Sequence, residues 1–490
     1  MHPSHQQISD LIIETKYSEA ERLALAHVQK NPLDGQGWLL LGESLLRQQQ
    51  GKSAQLLMER ALLLDPEAKW VDWMQEELGK VPSGDIHPDI QRLIRVSRPT
   101  IAAAIIVKNE ERCIERCIRS LQEAVDEIVI VDSGSTDQTI QIIKKYPNIK
   151  LIESNWNDSF AELRNISLAH VTSDWILIID ADEWLHQGDG DALRLAAGLF
   201  HPLRPVTPML HPSIINHING TENVNFSVPR LFPNGRGIRF EGRIHEQIST
   251  EAEGIFTTNV FHKPVRIRIH HDGYDSQVKK SKAKLDRNIK LLKMMTDEDS
   301  SNPGWWYFRG RETMELGDIA QALYCFEQAL RYGKQYARFG RIPEIQLLMG
   351  NIQLSQGRLD LAETHYLQAL EPHADFPDAH FQLANLAMIR AQEQWKKAMH
   401  HVAHAAEGFH TYRGAVSADH EIHLWKADAL KADLLVQNGH LSEAKKLLNQ
   451  VRNRSPHMDR IQNKLSFILR QQMQLNQSTL TPSAKKGTTQ

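Results

Sequence analysis

Cysteine is scarce in this chain, with three among 490 residues. Cys113 and Cys117 lie one turn apart in a predicted helix, and Cys325 falls in a distant segment. This spacing brings no further metal-ligating side chains alongside them and does not suggest a disulfide framework. We therefore expect inert thiols in a reducing compartment.

Long apolar runs and a strong net charge are also missing. No stretch approaches the roughly eighteen apolar residues of a membrane span, and the region near Met1 lacks the pattern of a secretory signal. The formal net charge of -3 gives no electrostatic footprint for nucleic acid. The sequence therefore predicts a cytoplasmic protein without an integral membrane segment or a nucleic-acid partner.

The length and composition allow more than one hydrophobic core, because 41% of the residues are hydrophobic. Residues 76–98 contain two prolines and a Pro-Ser-Gly turn, which indicates a linker. From Gln471 onward the chain is rich in Gln, Thr, Ser and Lys, so we predict a disordered tail over residues 471–490.

Repeated patterns of small and aromatic residues occupy both ends of the chain. Ala20 and Pro32 precede Ala54 and Pro66 by 34 residues, the period of a tetratricopeptide repeat. The pattern recurs at Trp38, Gly42, Leu45 and Ala61, then at Trp306, Gly310, Ala322, Phe326 and Ala329, and at Gly350, Ala362, Tyr366 and Ala369. It predicts all-α repeats over residues 1–75 and 276–470.

Such repeats commonly present a surface to a peptide or protein, but they also brace a neighbouring domain or form a homo-oligomer. The sequence leaves these roles open. His400, His401 and His404 have helical spacing that suits a metal, but the sequence favours a polar helix face over a metal site. The basic cluster 279–284 is explained by solvation.

Between the repeats, apolar runs alternate with helical patterns. Strand-like runs cover residues 101–107, 127–131, 149–152 and 175–179, and a helical pattern lies between each pair. This alternation predicts a right-handed parallel βαβ arrangement in which the loops after the strands gather along one edge of the sheet.

Polar side chains follow these strands at the edge where open α/β sheets bind ligands. The last run leads directly into Asp180, Asp182 and Glu183. Clustered carboxylates suit a hard cation such as Mg²⁺ or Mn²⁺, which in turn suits a diphosphate. A strand that runs into an acidic, solvated turn is the alternative interpretation.

The loops after the first two strands also have a purely structural interpretation. Asn109 is placed to cap a helix whose first turn holds two glutamates. Gly134 permits a sharp turn, while Ser135 and Asp137 are placed to cap the next helix.

Four motifs in order resemble the family 2 glycosyltransferases, which have the GT-A fold; they lie at residues 107–111, 131–137, 164–165 and 174–183. Residues 229–232, 243–246 and 271–274 resemble the branch of that family that carries helical repeats, which includes bacteriocin and surface-polysaccharide glycosyltransferases. The resemblance covers residues 99–275. It implies an α/β GT-A domain with a Rossmann-like, mostly parallel sheet.

The resemblance also implies roles for single residues. A nucleotide-sugar donor, most often a UDP-sugar, would be held by Lys108, Asn109, Glu110, Asp132, Ser133, Arg164, Asp180 and Arg230. Asp182 and His271 fall where the family binds its divalent metal, Mn²⁺ or Mg²⁺. For Arg230 the alternative is a solvated surface cation, and for His271 it is a hydrogen-bonded residue that covers the sheet.

By resemblance the reaction inverts the anomeric centre in a single displacement. Glu246 is then the general base, with His245 beside it in a late acidic motif. Because the motif departs from the family's glutamate-aspartate pair, a strand edge in which Arg243 to Glu246 forms a salt bridge remains open.

These patterns predict a metal-dependent, hexosyltransferase-like enzyme whose acceptor is a peptide or protein. A transferase for surface-polysaccharide or lipid-linked glycan assembly is the close alternative. A non-catalytic repeat scaffold with a degenerate transferase domain is the alternative of another class. A nucleotidyltransferase is disfavoured because the first strand is not followed by a glycine-rich loop.

Overall fold

The computed structural model describes residues 3–218, 220–250, 254–256, 259–272, 282–336, 338–411, 418–452, 454 and 458–478. The chain divides into two compact units, Met1–Ile342 and Pro343–Gln490. The predicted motif residues Gly273 and Tyr274, and residues 279–281 of the basic cluster 279–284, lie outside the described residues.

The first unit begins with helices that pack on their sequence neighbours, as the repeat spacing predicts. Trp38, Leu41 and Leu45 are buried, and the small side chains of Ala20 and Ala54 are fully buried where neighbouring helices meet. The helices are α1 (Pro3–Ile13), α2 (Tyr17–Lys30), α3 (Gly35–Arg47), α4 (Gly51–Leu64), α5 (Val71–Gly79) and α6 (Pro88–Leu93).

The segment predicted as a linker is more structured than its composition indicated. It contains the end of α5 and all of α6, which begins at Pro88 with the side chain of His87 accepting a hydrogen bond at its N-cap. The backbone carbonyl oxygens of Pro82 and Ile94 accept hydrogen bonds from α4. These contacts fix the segment against the N-terminal helices.

The central sheet confirms the predicted βαβ arrangement. Its described strands run in the order β3-β2-β1-β4-β8-β6-β11-β5, with β7 paired to β6, and the first four pair in parallel. They are β1 (Ile101–Val107), β2 (Glu127–Asp132), β3 (Ile149–Glu153), β4 (Trp175–Ile178), β5 (Glu183–Leu185), β6 (Thr207–Ile218), β7 (Thr221–Asn225), β8 (Leu231–Pro233) and β11 (Val260–His271). Strands β9 (Ile238–Glu241) and β10 (Gln247–Thr250) form a separate antiparallel pair.

Both faces of the parallel strands are covered, which explains why their sequences are apolar throughout. Ala103 and Ile105 of β1 pack into one hydrophobic cluster, and the alternate residues Ala102 and Ala104 pack into another. The covering helices are α7 (Ile114–Leu121), α8 (Thr139–Ile143), α9 (Phe160–His170) and α10 (Gly190–Phe200).

The prediction that Asn109 caps the following helix is wrong. Helix α7 begins at Ile114 after Cys113, and Asn109 has a positive φ of 56°. Its Oδ1 instead accepts a hydrogen bond from the backbone N–H of Thr136 in the neighbouring loop. The contact across two loops outweighs the local capping preference.

Three further helices belong to the first unit: α11 (Lys282–Glu298), α12 (Pro303–Leu316) and α13 (Ile319–Gly333). Gly310 of α12 lies against the ring of Phe326 in α13. Gly242, next to β9, lies against Trp305 of α12. The α12 helix therefore packs on α13 and on the sheet domain.

The regular elements described in the second unit are all helices. Its helices are α14 (Ile342–Ser355), α15 (Leu359–Leu370), α16 (Pro377–Thr411), α17 (Ala427–Gln437), α18 (Leu441–Arg452) and α19 (Met458–Ser478), with a π-helical turn at Ile422–Lys426. Because α19 continues to Ser478, the predicted disordered tail is wrong for residues 471–478. The later tail residues lie outside the described part.

The structure also bears on the predictions for the cysteines and for membrane spans. Cys113, Cys117 and Cys325 are free and buried. Burial raises the pKa of the Cys113 and Cys117 thiols, which agrees with inert side chains. Among the described residues, none of the helices combines the length and apolar character needed to cross a bilayer.

Substitution of Gly310, with Gly79 as the control, tests the close approach of α12 and α13. A Cβ on Gly310 would lie 2.6 Å from the Phe326 ring, so we expect Gly310→Ala to lower the melting temperature through an overpacking cost of about 1–3 kcal/mol. Gly79→Ala is the control, because no described atom lies within 4 Å of its Cβ. There alanine should preserve or raise the melting temperature. Equal behaviour of both variants would contradict the packing account.

Candidate active site

Three loops meet at the carboxyl edge of the parallel strands. Val107 at the end of β1 pairs with Asp132 at the end of β2, and β4 on the other side of β1 ends just before Asp180. The predicted residues after these strands therefore share one edge of the sheet, where α/β folds bind ligands.

Asp132 is nearly inaccessible, with 1% of its surface exposed. Its Oδ2 accepts hydrogen bonds from the backbone N–H groups of Gly134 and Ser135, both at 2.9 Å. Its Oδ1 is buried and has no partner among the described residues. An unpaired buried acceptor costs about 1–3 kcal/mol, so a ligand N–H at this oxygen would be favourable.

Hydrogen bonds join the loop after β1 to the loop after β2. The backbone N–H of Asn109 donates to Ser135 Oγ, and that of Glu110 donates to Thr139 Oγ1, both at 2.8 Å. Lys108 is exposed beside them, and Ser133 donates from Oγ to the Val107 carbonyl at 3.2 Å. The predicted donor-binding residues 108–110 and 132–133 are thus brought together, with the Asn109 amide oxygen already engaged by Thr136.

The buried Arg164 and the half-buried Arg230 bind the acidic side chains of the site. Arg164 donates from Nη2 to Asp180 Oδ1 at 2.8 Å and from Nε to Glu246 Oε1 at 2.6 Å. Arg230 donates from Nη2 to Asp180 Oδ2 and Glu183 Oε1, both at 3.0 Å. Arg230 is therefore not a solvated surface cation, and Asp180 is bound through both oxygens.

The ion-pair network determines the charge of its members. Burial disfavours the Asp180 carboxylate, but the charges of Arg230 and Arg164 outweigh it and hold the pKa of Asp180 well below its usual range. Burial raises the pKa of Glu183, partly offset by Arg230. Burial also disfavours the charged form of Arg164, yet Asp180 and Glu246 raise its pKa. Asp180 therefore remains an anion that is ion-paired with two arginines.

Asp182 and His271, the predicted metal residues, lie next to each other. Their Oδ2 and Nε2 atoms are 3.4 Å apart, because β5 and β11 pair with Glu183 opposite His271. On the other side of the ring, His271 Nδ1 lies 2.9 Å from Asn216 Oδ1. The tautomer that donates from Nδ1 to Asn216 leaves the Nε2 lone pair directed towards Asp182.

This pair fits a divalent cation, because one carboxylate oxygen and one imidazole nitrogen converge near a second carboxyl group, that of Glu110. Burial raises the pKa of the Glu110 carboxyl, and the nearby charge of Asp182 raises it further. Burial lowers the pKa of His271, but the hydrogen bond and charge of Asp182 outweigh that effect and raise it. The arrangement concentrates negative charge that a cation would neutralise.

The loop that carries His245 and Glu246 directs these two side chains to different partners. His245 has a positive φ of 50°, and its Nε2 lies 2.9 Å from Glu312 Oε1 of α12. Its ring stacks on Phe308 with 4.6 Å between centroids. Glu246 instead contacts Arg164. The observed contacts of His245 are therefore with the helical segment, and its predicted catalytic role gains no support from them.

Several residues that contact the site residues could not be identified from sequence patterns. Asn216 orients His271 from a position 55 residues away, and Glu312 and Phe308 reach His245 from a predicted repeat helix. Arg243, which the alternative interpretation placed in a strand-edge salt bridge, forms an ion pair with Glu298 of α11 at 2.6 Å. Long-range pairing of this kind is visible only once the strands and helices are assembled.

Comparison with known proteins identifies two parts of the chain. Residues 103–191 match the family described as Glycosyl transferase family 2, and residues 309–380 match the family described as Tetratricopeptide repeat. The SPbeta prophage-derived glycosyltransferase SunS of Bacillus subtilis is 27% identical over 282 residues, which is 56% of this chain and 65% of SunS. The match thus spans less than two thirds of that relative.

Two other relatives match different lengths of the chain. A TPR repeat-containing protein of Synechococcus elongatus is 27% identical over 284 residues, which is 56% of this chain and 67% of that protein. An uncharacterized glycosyltransferase of Rickettsia felis is 46% identical over 90 residues, which is 17% of this chain and 29% of that protein. The chain carries a family 2 glycosyltransferase domain with a GT-A-type sheet, accompanied by tetratricopeptide repeats.

Proposed function

We propose that this chain is a metal-dependent, inverting glycosyltransferase that moves a sugar from a nucleoside diphosphate donor to an acceptor. The observation that carries the proposal is the convergence, at one edge of the sheet, of an unpaired buried oxygen, a carboxylate-imidazole pair and a half-buried glutamate. These are Asp132 Oδ1, the pair Asp182 and His271, and Glu246.

The donor base binds beside Asp132 in this proposal. Its Oδ1 accepts an N–H of the base, for which uracil is the family's most frequent choice, and so removes the cost of the unpaired buried oxygen. Lys108 is exposed on the adjoining loop and supplies a positive charge near the donor. Ser133 and residues 109–110 would lie alongside the bound donor, because hydrogen bonds bring these two loops together.

Asp182 Oδ2 and His271 Nε2 would hold the metal, Mn²⁺ or Mg²⁺, with Asn216 fixing the imidazole tautomer. When bound, such a cation supplies Lewis-acid stabilisation of the charge on the departing diphosphate. Protonation of His271 removes its lone pair, so binding of the metal should weaken as the pH falls through the raised pKa of His271.

Glu246 is the general base in this proposal. It accepts the proton of the acceptor hydroxyl while that oxygen forms a bond to the anomeric carbon and the bond to the diphosphate oxygen breaks. Its ion pair with the buried Arg164 at 2.6 Å holds the carboxylate in one orientation. A general base must lie within reach of the proton that it removes. The ion pair with Arg164 fixes the position of the Glu246 carboxylate for this role.

For the acceptor we favour a peptide or protein. The support is the tetratricopeptide match at residues 309–380, since such repeats present surfaces to polypeptide partners. Helices α12 and α13 of that region belong to the same compact unit as the sheet. If the acceptor is instead a glycan or a lipid-linked glycan, a screen of acceptor substrates would identify it.

Replacement of Asp182 tests the metal position. We expect Asp182→Asn to lose the Mn²⁺-dependent part of nucleoside diphosphate binding in calorimetry, because the amide carries no charge. Asp72→Asn is the control, since Asp72 is an exposed carboxylate on α5. Binding by Asp182→Asn with the same affinity and the same dependence on Mn²⁺ would remove Asp182 from the site.

Replacement of Glu246 separates catalysis from donor binding. Glu246→Gln keeps the size of the side chain and an oxygen for Arg164, so donor binding should persist. Turnover, measured as release of nucleoside diphosphate, should fall by about 100-fold or more, the usual contribution of a general base.

The matched control for that experiment is Glu241→Gln, since Glu241 lies at the end of β9 and pairs with Arg239. Its turnover should stay close to that of the native chain. If Glu246→Gln turns over as fast as this control, Glu246 is not the base.

A further inference from the structure

We propose a second metal site, in the N-terminal helices, formed by His5, His27 and Asp34 and suited to Zn²⁺. The Nε2 atoms of both histidines lie 2.6 Å from the same oxygen, Asp34 Oδ2. All three potential ligand atoms lie within 4.8 Å of one another. This site is independent of the proposed transferase reaction.

The three residues come from separate elements and are shielded from solvent. His5 lies on α1, His27 on α2, and Asp34 is the N-cap of α3. The histidine side chains are 11% and 8% exposed, and the Asp34 side chain is 26% exposed. A cation bound here would join three helices at a largely buried point.

Two further polar atoms of these side chains, Asp34 Oδ1 and His27 Nδ1, form hydrogen bonds that orient the potential ligands. Asp34 Oδ1 accepts a hydrogen bond from the backbone N–H of Gln36, which fixes the carboxylate and leaves Oδ2 for the imidazoles. His27 Nδ1 lies 3.1 Å from Ser4 Oγ. Outer hydrogen bonds of this kind orient a histidine and determine which nitrogen faces the metal.

The geometry needs only a small change to accept the ion. With zinc-ligand distances of about 2.0–2.2 Å, tetrahedral ligands lie about 3.3–3.5 Å apart. The present separations of 2.6 Å would therefore widen by less than about 1 Å, within the reach of side-chain rotation. Both imidazoles would carry their proton on Nδ1, and that of His27 would donate to Ser4.

Two imidazoles and one carboxylate are a ligand set of three protein groups, which leaves a fourth zinc position for water or another group. The competing arrangement has no cation, and each imidazole then donates its Nε2–H to Asp34. Binding of Zn²⁺ distinguishes the two. The functional consequence of the site is that α1, the first described helix, is held to α2 and α3.

The test measures Zn²⁺ binding and melting temperature of the full chain after treatment with a chelator. We expect added Zn²⁺ to raise the melting temperature, and His5→Gln and His27→Gln each to weaken Zn²⁺ binding at this site by at least about 10-fold. His373→Gln, an exposed histidine of the second unit, is the control. Asp182→Asn in the background removes the contribution of the candidate active site.

Two results would contradict the proposed zinc site. Zn²⁺ affinity that is unchanged in His5→Gln and His27→Gln would overturn the proposal, as would a melting temperature that does not respond to Zn²⁺. If either ligand variant fails to fold, Ser4→Ala keeps all three ligands. It should weaken Zn²⁺ binding because it removes the outer hydrogen bond of His27, and an unchanged affinity there would also contradict the site.

Discussion

The candidate active site depends on two guanidinium groups with little exposure to solvent, which neutralise the carboxylates after β4. Arg164 and Arg230 each bind one oxygen of Asp180, and they also bind Glu246 and Glu183. A buried carboxylate without such partners would take up a proton or destabilise the fold. Removal of one partner would leave an uncompensated charge and destabilise the fold. The network therefore stabilises one arrangement of α9, β4, β8 and the loop before β10.

This network divides the acidic side chains by the partners that they contact. Asp180 and Glu183 are bound by arginine, whereas Asp182 faces His271, with which we propose that it binds the cation. The network also positions Glu246 through Arg164. On the other side of the same loop, His245 contacts Glu312 and Phe308 of α12. The helices that follow the sheet domain thus support the loop that carries the proposed base.

Local sequence patterns predicted the parallel strands well, because strands buried on both faces leave continuous apolar runs followed by polar loops. They also placed Asp132 and Asp182 at the same sheet edge. Capping by Asn109 was predicted wrongly, since a tertiary contact with Thr136 replaced the local one. Helix α6 was missed within a stretch rich in turn residues. The partners Asn216 and Glu312 were not predictable, because strand pairing and helix packing bring them in from distant positions.

The central claim is that Asp132, Asp182 and His271 hold one nucleoside diphosphate with its cation. A crystal structure of the full chain with UDP and Mn²⁺ tests it most directly. The account predicts the base within hydrogen-bond distance of Asp132 Oδ1, and the metal bound by Asp182 and His271 between the sheet edge and the diphosphate. A nucleotide bound elsewhere, or a metal ligated by neither residue, would contradict it.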